Sequence, residues 1–308
     1  MAEIIDTPPE YQQSSVAAEQ AIDLSTLQYE RICVCRPNNL NCMTAKEWIK
    51  SQLGVWQVNY EKRDLRDKEL HPATFPIQLA RRIIELFSHK GELVLDPFVG
   101  SGTTLLAAQE LDRNAIGFDL QQKYIDLCVQ RLGPEPLFAR TTQQFAIHAD
   151  AQSIEKFLPL DSVKLIWTSP PYANMLNRER KNKSRRTPDR DNGQLNKIEQ
   201  YSQDERDLGT MALEEYTLAM GDIFGALLPL LKTKGHCVIN VPDIWWDNQR
   251  ITLHVALIEE LRKRGYELRN TIIWDRTNIV NKVGIFGWPS NYITMGTTFE
   301  YLLDFWKP

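Results

Sequence analysis

The chain has 308 residues, of which 43% are hydrophobic and 25% are charged, and its formal net charge is −4. This composition is ordinary for a globular protein, and the length suits one large α/β domain with appendages or two smaller domains. No apolar run approaches the roughly 20 residues of a membrane-spanning helix, and the first residues do not form a signal peptide. We therefore expect a cytoplasmic protein without membrane contact. The negative charge does not exclude a nucleic-acid partner, because local basic patches decide such binding.

The N-terminal region divides into two parts. Residues 1–28 are polar and rich in Gln and Ala, which predicts a flexible tail. Residues 29–70 form an N-terminal extension, in which we expect a strand over Tyr29–Cys35 and a helix over 45–53 that starts at a capping box. The highly charged stretch Asp64–Glu69 predicts an exposed connection.

Five cysteines, an odd number, are spread unevenly along the chain: Cys33, Cys35, Cys42, Cys128 and Cys237. Without an export signal, a disulfide framework is not expected. The first three cysteines suggest zinc, but their spacing fits no common site and no fourth ligand is within reach. We therefore expect simple buried thiols and no metal.

From residue 71 to residue 308 the chain predicts one main domain of alternating helices and strands. The predicted helices cover residues 77–87, 103–111, 122–132, 151–157, 213–231 and 251–264. The predicted strands cover residues 93–95, 115–118, 144–148, 163–167, 236–241, 270–274 and 300–305. This alternation predicts a doubly wound, mostly parallel sheet, and the last two strands, which have no helix between them, predict an antiparallel hairpin at one edge. Two irregular segments, 173–212 and 275–298, interrupt the pattern and are long enough to be functional or disordered.

A glycine-containing loop, Asp96-x-x-x-Gly100-x-Gly102, follows the first strand of this domain and precedes a helix. This is the arrangement of a nucleotide-binding loop. A dinucleotide fingerprint needs a third glycine three residues after Gly102, where the chain has Leu105, and a P-loop needs a lysine that the loop lacks. Both phosphate-binding interpretations therefore fail.

Two further acids, Asp119 and Asp150, follow the next two predicted strands. Asp119 is placed to accept both hydroxyls of a ribose, and Asp150 is placed to accept from the exocyclic amine of adenine. Asp96 and its loop would then face an amino-acid group. An adenosine joined to an amino acid without phosphate describes S-adenosylmethionine. The alternative is that an aspartate merely caps its following helix, and it stays open for each one alone.

The sequence Thr168-Ser169-Pro170-Pro171-Tyr172 follows a buried apolar strand. Its two prolines prevent further sheet pairing but keep their carbonyls, so the corner offers a hydroxyl, outward carbonyls and an aromatic face. In open α/β sheets, ligands bind at such strand ends. A proline-stiffened loop without function is the alternative for the pentapeptide alone.

These motifs resemble those of the DNA methyltransferases that modify exocyclic amines, cytosine N4 or adenine N6. The similarity covers most of residues 71–308, with 71–76 similar to the family's cofactor-helix motif, 95–104 to its cofactor loop and 168–172 to its catalytic motif. The expected fold is a doubly wound α/β class with a mostly parallel seven-stranded, Rossmann-like sheet and an antiparallel edge hairpin. The expected cofactor is S-adenosylmethionine.

The resemblance also implies roles for individual residues. The expected cofactor-binding residues are His71, Thr74, Phe75, Pro76, Asp96, Pro97, Phe98, Gly100, Ser101, Gly102, Thr103, Thr104, Asp119, Leu120, Asp150, Ala151 and Thr168. The expected catalytic residues are Ser169, Pro170, Pro171 and Tyr172. Ser169 and the Pro170 carbonyl would accept the two hydrogens of the target amine, and Tyr172 would stack on a base flipped out of the duplex.

The target base follows from the first residue of the catalytic motif. The family commonly has Ser there for cytosine N4 and Asp or Asn for adenine N6, so Ser169 favours cytosine N4, and adenine N6 stays open. A carbon-5 cytosine methyltransferase needs a nucleophilic cysteine, usually after proline, and the chain contains no Pro-Cys pair. An RNA base methyltransferase and a non-catalytic DNA- or cofactor-binding subunit are the remaining alternatives.

A cluster of basic residues starts six positions after the catalytic motif, at the expected mouth of its pocket. Its members, the expected DNA-binding residues, are Arg178, Arg180, Lys181, Lys183, Arg185, Arg186 and Arg190. Phosphate contacts are the natural use of such a run, and a solvated loop is the alternative. Double-stranded DNA is thus the expected partner, while a homodimer and a cognate restriction enzyme stay open.

Overall fold

The computed structural model describes residues 24–36, 39–67, 74–133, 141–173, 204–246, 249–279 and 297–308. Seven α-helices lie within these ranges: α1 (Ala45–Ser51), α2 (Lys62–Asp67), α3 (Ile77–Phe87), α4 (Thr103–Glu110), α5 (Gln122–Leu132), α6 (Leu213–Leu227) and α7 (Leu253–Lys263). The ten strands within them are β1 (Val55–Gln57), β2 (Leu93–Asp96), β3 (Asn114–Asp119), β4 (Gln144–His148), β5 (Val163–Thr168), β6 (Leu231–Val241), β7 (Ile244–Trp246), β8 (Gln249–Ile251), β9 (Glu267–Asp275) and β10 (Phe299–Trp306). Short 3₁₀ helices cover Ala151–Lys156, Leu208–Thr210 and Leu228–Leu230.

Eight of these strands form one sheet in the order β1-β9-β10-β6-β5-β2-β3-β4. Strand β10 pairs antiparallel with both of its neighbours, and the other strand pairs are parallel. The predicted mostly parallel α/β fold is confirmed. The predicted number of seven strands is one too low, since β1 from the N-terminal extension adds an eighth.

The short strand β1 also changes the edge of the sheet. The predicted antiparallel pair of β9 and β10 exists, but β1 pairs in parallel with β9, with Trp56 opposite Trp274, so that β1 and not the hairpin forms the edge. Strand β1 has only three residues, of which Trp56 alone is buried, and so short a segment carries no readable period. Arg82 stacks on the Trp56 ring at 4.0 Å and holds the strand against α3.

Helices cover both faces of the sheet, which makes the fold doubly wound. On one face, α3 packs on β5 and β6 and α4 packs on β3 and β4, with Ile77, Ile83 and Leu105 fully buried. The apolar residues of α3 recur at three- and four-residue spacing, which predicted this helix and its buried side. On the opposite face, α6 and α7 pack together over β5, β6 and β10. The two cores fix the strand ends that carry the site.

The N-terminal extension differs most from its prediction. The capping box of Thr44 and Glu47 is present and begins α1. The predicted strand over Tyr29–Cys35 is wrong, because no regular structure is formed there. The predicted exposed connection is also wrong in part. It forms α2, in which Asp64 is buried and accepts the backbone N–H of Glu61 at 2.7 Å, as at a helix start.

Two predicted site regions lie outside the described residues, namely His71 and the basic cluster from Arg178 to Arg190. Most of the irregular segment 275–298 also lies outside them. Among the helices that the structure describes, none has both the length and the apolar character that crossing a bilayer requires.

Candidate active site

The strand order reverses direction between β2 and β5. From β2 the chain proceeds outward to β3 and β4, and from β5 it proceeds the other way to β6. A crevice therefore opens at the carboxyl ends of β2 and β5, which is where open α/β sheets bind ligands. The loop after β2 contains Gly100 and Gly102, and the Ser-Pro-Pro-Tyr corner follows β5 directly.

Asp96, the last residue of β2, connects these two loops. Its carboxylate accepts the Thr168 hydroxyl at 2.6 Å, the Thr104 hydroxyl at 2.5 Å and the Phe98 backbone N–H at 3.1 Å. Burial raises the pKa of this carboxyl to about 6, against the opposing effect of those three donors. Asp96 is buried behind the pocket wall, where its hydrogen bonds fix the shape of the loop, and its predicted contact with the cofactor stays a prediction.

Gly102 explains the glycine spacing of the loop. It has a φ of +81° and stands at the N-terminus of α4, a left-handed conformation that glycine adopts without strain. A Cβ at this position would come within 2.9 Å of the Cys128 sulfur on α5. The loop therefore passes close to α5, and only glycine permits this approach.

Asp119 ends β3 and faces the crevice. Its two carboxylate oxygens accept the backbone N–H groups of Gly100 at 3.1 Å and of Gln121 at 2.8 Å. Burial raises the pKa of Asp119 to about 6, although both N–H groups oppose the shift. Each oxygen keeps a second lone pair, so the carboxylate is able to accept ligand hydroxyls as well.

Asp150 caps a helix and also lines the pocket. Its side chain accepts the Gln152 backbone N–H at 2.9 Å and so caps the 3₁₀ helix Ala151–Lys156, which replaces the predicted α-helix. It also lines the pocket, and Arg206 approaches its second oxygen at 3.8 Å. Capping and ligand binding are therefore compatible at this position.

The pocket that these loops enclose has a volume of about 920 Å³, including its open mouth. The predicted residues that line it are Thr74, Phe75, Pro97, Phe98, Gly100, Ser101, Thr103, Asp119, Leu120, Asp150, Ala151, Ser169, Pro170, Pro171 and Tyr172. The predicted residues that do not line it, although the structure describes them, are Pro76, Asp96, Gly102, Thr104 and Thr168. These five support the wall from behind or cap its helices.

Several lining residues were not predicted from the sequence: Val99, Gln121, Tyr124, Arg206, Asp207, Leu208 and Ile223. Arg206, Asp207 and Leu208 belong to the end of the polar insertion 173–212, which returns to the pocket at a 3₁₀ turn that Asp207 caps. No local pattern marks these residues. Ile223, on α6, also belongs to the hydrophobic core.

The Ser-Pro-Pro-Tyr corner is held by a buried hydrogen-bond network. The hydroxyls of Ser169 and Tyr172 lie 2.8 Å apart. Asn240, on β6, donates from Nδ2 to Tyr172 at 3.1 Å, to Ser169 at 3.3 Å and to the Glu300 carboxylate at 2.6 Å. Tyr172 also hydrogen-bonds Glu300, which in addition forms an ion pair with Arg276.

This network determines which way the hydroxyl protons point. A carboxylate only accepts, so the Tyr172 O–H donates to Glu300, and the Tyr172 oxygen then accepts the Ser169 O–H. With its proton directed inward and one lone pair accepting from Asn240, Ser169 keeps one oxygen lone pair for a ligand in the pocket that it lines. Burial raises the pKa of Glu300, while Arg276, Asn240 and Tyr172 favour its ionised form. The motif predicted Ser169 and Tyr172, whereas no sequence pattern indicated Asn240 or Glu300.

Comparisons with known proteins agree with these motifs. The family model for N6- and N4-methyltransferases, described as "DNA methylase", matches residues 8–130. The Type II methyltransferase M.HindIII of Haemophilus influenzae is 46% identical over 118 residues, which are 32% of this chain and 38% of that protein. The Type II methyltransferase M.BglI of Bacillus subtilis is 40% identical over 88 residues, which are 28% of this chain and 24% of that protein. The chain thus aligns with well under half the length of these relatives.

A solved structure of a SAM-dependent methyltransferase from Methanosarcina mazei aligns with 73% of this chain and 96% of its own, with 11% identity and a TM-score of 0.45. The family model and the curated relatives, together with the three motifs around one pocket, support an amino-methyltransferase family of DNA methylases for this chain.

Proposed function

We propose that this protein transfers a methyl group from S-adenosylmethionine to the exocyclic N4 amine of a cytosine flipped out of DNA. The observation that carries the proposal is the position of Ser169, which lines the pocket with its hydroxyl oxygen 2.8 Å from that of Tyr172, the acceptor to which the hydrogen-bond network directs its proton. An amine hydrogen entering the pocket would therefore meet an acceptor. The nucleic-acid context comes from the family model, which is described as "DNA methylase", and the relatives are Type II methyltransferases.

The residues around the pocket fit S-adenosylmethionine. Asp119 offers carboxylate lone pairs for ribose hydroxyls, and Asp150 lies at the adjacent strand end for the adenine amine. The buried Thr74 hydroxyl oxygen has no hydrogen-bond partner among the described residues, and Thr74 lines the pocket. A ligand that hydrogen-bonds this oxygen would remove the cost of leaving it unpaired. Phe75, held edge-on against Trp167 at 5.2 Å, adds an apolar wall.

Methyl transfer to an exocyclic amine needs a methyl donor and a nitrogen atom with a localised lone pair. S-adenosylmethionine supplies a methyl group on a positively charged sulfur, but the lone pair of the cytosine amine is delocalised into its ring. Acceptors on both amine hydrogens favour a pyramidal nitrogen and localise that lone pair. Ser169 and Pro170 both line the pocket, and we assign Ser169 Oγ and the Pro170 carbonyl as the two acceptors. Because they are held before the substrate arrives, their contribution is one of positioning and electrostatics.

Serine as the first residue of the catalytic motif is the basis for choosing cytosine N4 over adenine N6. A hydroxyl is a neutral acceptor, and here the relay through Tyr172 to Glu300 aligns it. Double-stranded DNA would reach the pocket along the basic cluster from Arg178 to Arg190, which lies outside the described residues. A homodimer and a cognate restriction enzyme remain proposals of the same kind.

The test is to express the chain in a host lacking its own DNA methylation and to measure modified nucleosides by mass spectrometry. N4-methylcytosine is expected. Finding only N6-methyladenine would overturn the target base, and finding neither would overturn the activity.

The Ser169→Ala variant provides a second test with a matched control. It should lose about 10²-fold in transfer rate, the scale for removing one preorganised hydrogen bond, while S-adenosylmethionine affinity by calorimetry stays unchanged. Ser162→Ala is the control, because Ser162 immediately precedes β5, at the end opposite to Ser169, and its hydroxyl donates to the Pro159 carbonyl at 2.7 Å. A Ser169→Ala enzyme as fast as the control would refute the acceptor role.

A further inference from the structure

Three cysteines of the N-terminal extension and one histidine converge far from the pocket. The sulfurs of Cys33, Cys35 and Cys42 are 3.3–3.4 Å from one another. The Nδ1 atom of His89, on the connection between α3 and β2, lies 3.4 Å from Cys33, 3.6 Å from Cys35 and 3.4 Å from Cys42. The expectation that no fourth ligand is within reach is therefore wrong, because the fold brings His89 to the cysteines across 47 to 56 positions of sequence.

The four atoms form a nearly regular tetrahedron. All six edges measure 3.3–3.6 Å, so a point at the centre lies about 2.1 Å from each atom. Zinc binds imidazole nitrogen at about 2.0–2.1 Å and thiolate sulfur at about 2.3 Å, and its structural sites are tetrahedral with Cys₃His among the common sets. The sulfur separations are far longer than the about 2.05 Å of a disulfide. Since all four atoms surround one point, they fit a single ion and not an iron–sulfur cluster, whose thiolates bind different irons.

We propose that Cys33, Cys35, Cys42 and His89 bind one Zn²⁺ ion that fastens the N-terminal extension to the catalytic domain. The surroundings suit the resulting charge, because three thiolates, a neutral imidazole and Zn²⁺ carry a net charge of −1. The backbone N–H of Lys90 points to the Cys42 sulfur at 3.5 Å, and the buried guanidinium of Arg113 interacts with it electrostatically. Such hydrogen bonds and charges around a metal site orient its ligands.

The position of the cluster indicates a structural role. His89 precedes β2, so the cluster lies at the amino ends of the parallel strands, whereas the pocket lies at their carboxyl ends. Four protein ligands leave no open coordination position for a substrate, which is characteristic of structural zinc.

The segment that the ion would hold has few other attachments. Around the cluster, residues 31–36 form no helix or strand, and the side chains of Ile32 and Val34 are exposed. The Ile32 N–H donates to the Lys90 carbonyl at 2.9 Å, and Asn41 donates to the Leu86 carbonyl at 2.5 Å. A segment that buries so little apolar surface gains its order from a metal more readily than from a core.

The first experiment measures metal in the full chain, purified under reducing conditions without chelators or an affinity metal. Inductively coupled plasma mass spectrometry should find about one zinc per chain. A mercurial reagent should release that zinc to a colorimetric indicator as the thiols are titrated. A chain that contains no zinc and takes up none in equilibrium dialysis against Zn²⁺ overturns the proposal. A disulfide among these cysteines in the freshly reduced and desalted protein overturns it as well.

Variants assign the ligands. Cys42→Ser and His89→Ala should each bind zinc at least tenfold more weakly, whereas Cys237→Ala, which removes a buried thiol of β6, should retain the wild-type zinc content. If a variant does not fold, Co²⁺ substitution in the wild type decides. A visible spectrum of tetrahedral cobalt with thiolate charge-transfer bands supports the site, and an octahedral spectrum overturns it. Removal of zinc at 10 °C should leave the affinity for S-adenosylmethionine unchanged. Failure of the zinc proposal is therefore distinguishable from failure of the proposed methyl transfer.

Discussion

Replacing Glu300 by Gln tests the hydrogen-bond relay that directs Ser169. The carboxylate of Glu300 accepts from Asn240 at 2.6 Å and from Tyr172, and it pairs with Arg276. A glutamine at this position keeps the shape but introduces an NH₂ group, which is able to donate to the Tyr172 oxygen. The Tyr172 O–H would then turn toward Ser169, and the Ser169 proton would turn toward the pocket. The acceptor for the target amine would disappear without any change to a residue that lines the pocket.

The expected loss follows from the kind of hydrogen bond that is removed. Hydrogen bonds to charged groups contribute about 1.5–3 kcal/mol. If the relay acts fully on the transition state, kcat falls by about 10- to 150-fold. Glu300 does not line the pocket, so the affinity for S-adenosylmethionine should stay within about twofold of the wild-type value.

The assay is single-turnover methyl transfer to DNA, combined with calorimetry of cofactor binding and a thermal melt to verify folding. Glu267→Gln is the matched control, because Glu267 forms an exposed ion pair with Arg269 at the far end of β9. A Glu300→Gln enzyme that folds and transfers methyl groups at the control's rate would refute the relay. A loss confined to cofactor affinity would also refute it.

Three further predictions concern the binding of the cofactor, the hydrogen bond that couples Thr168 to Asp96, and the binding of DNA. Because burial raises the pKa of Asp119 to about 6, its carboxylate loses its charge as the pH falls through 6, and S-adenosylmethionine should bind about tenfold more weakly at pH 5 than at pH 7. Calorimetry should show that Asp119→Asn removes this pH dependence, and a pH-independent wild-type affinity would contradict the ribose contact. Thr168→Val removes the 2.6 Å bond to Asp96 and should lower the free energy of unfolding in urea by about 1–3 kcal/mol; a change below about 0.5 kcal/mol would contradict the coupling. Neutralising the basic cluster should weaken the salt dependence of DNA binding, because the slope of log K against log salt falls by about 0.9 for each phosphate that the protein no longer neutralises. An unchanged slope would exclude the cluster from the interface. The residues to change are Arg180, Lys181, Lys183, Arg185 and Arg186.

Strongly periodic segments were predicted almost to the residue. Helix α5 and strand β4 have the predicted bounds, and α3 begins after Pro76 as expected, although Pro76 serves as its N-cap and not as its first turn. The motif positions followed from these elements, since the loops at the carboxyl ends of parallel strands must meet. Local pattern was sufficient wherever an element buries one face of regular period.

Short or aperiodic elements could not be predicted in this way. Strand β1 depends on pairing with β9, more than 200 positions later in the chain. Strands β7 and β8 pair with each other in a separate two-stranded sheet. The extension around Cys33 contains no period because it is held by contacts with α3 and the loop before β2. The sequence shows its three cysteines, but no local pattern connects them to His89.

The sequence by itself determined the chemistry that is available: an acid-led glycine loop without a phosphate-binding lysine, a Ser-Pro-Pro-Tyr corner and no Pro-Cys nucleophile. Tertiary structure alone decided how those groups are used. It placed Asp96 behind the pocket, joined Ser169 to Asn240 across 71 positions and Asn240 to Glu300 across 60, and set His89 among three thiols. The physical reason is that hydrogen bonds and metal coordination require distances of a few ångströms, whereas local sequence patterns report only the backbone period and the side that is buried.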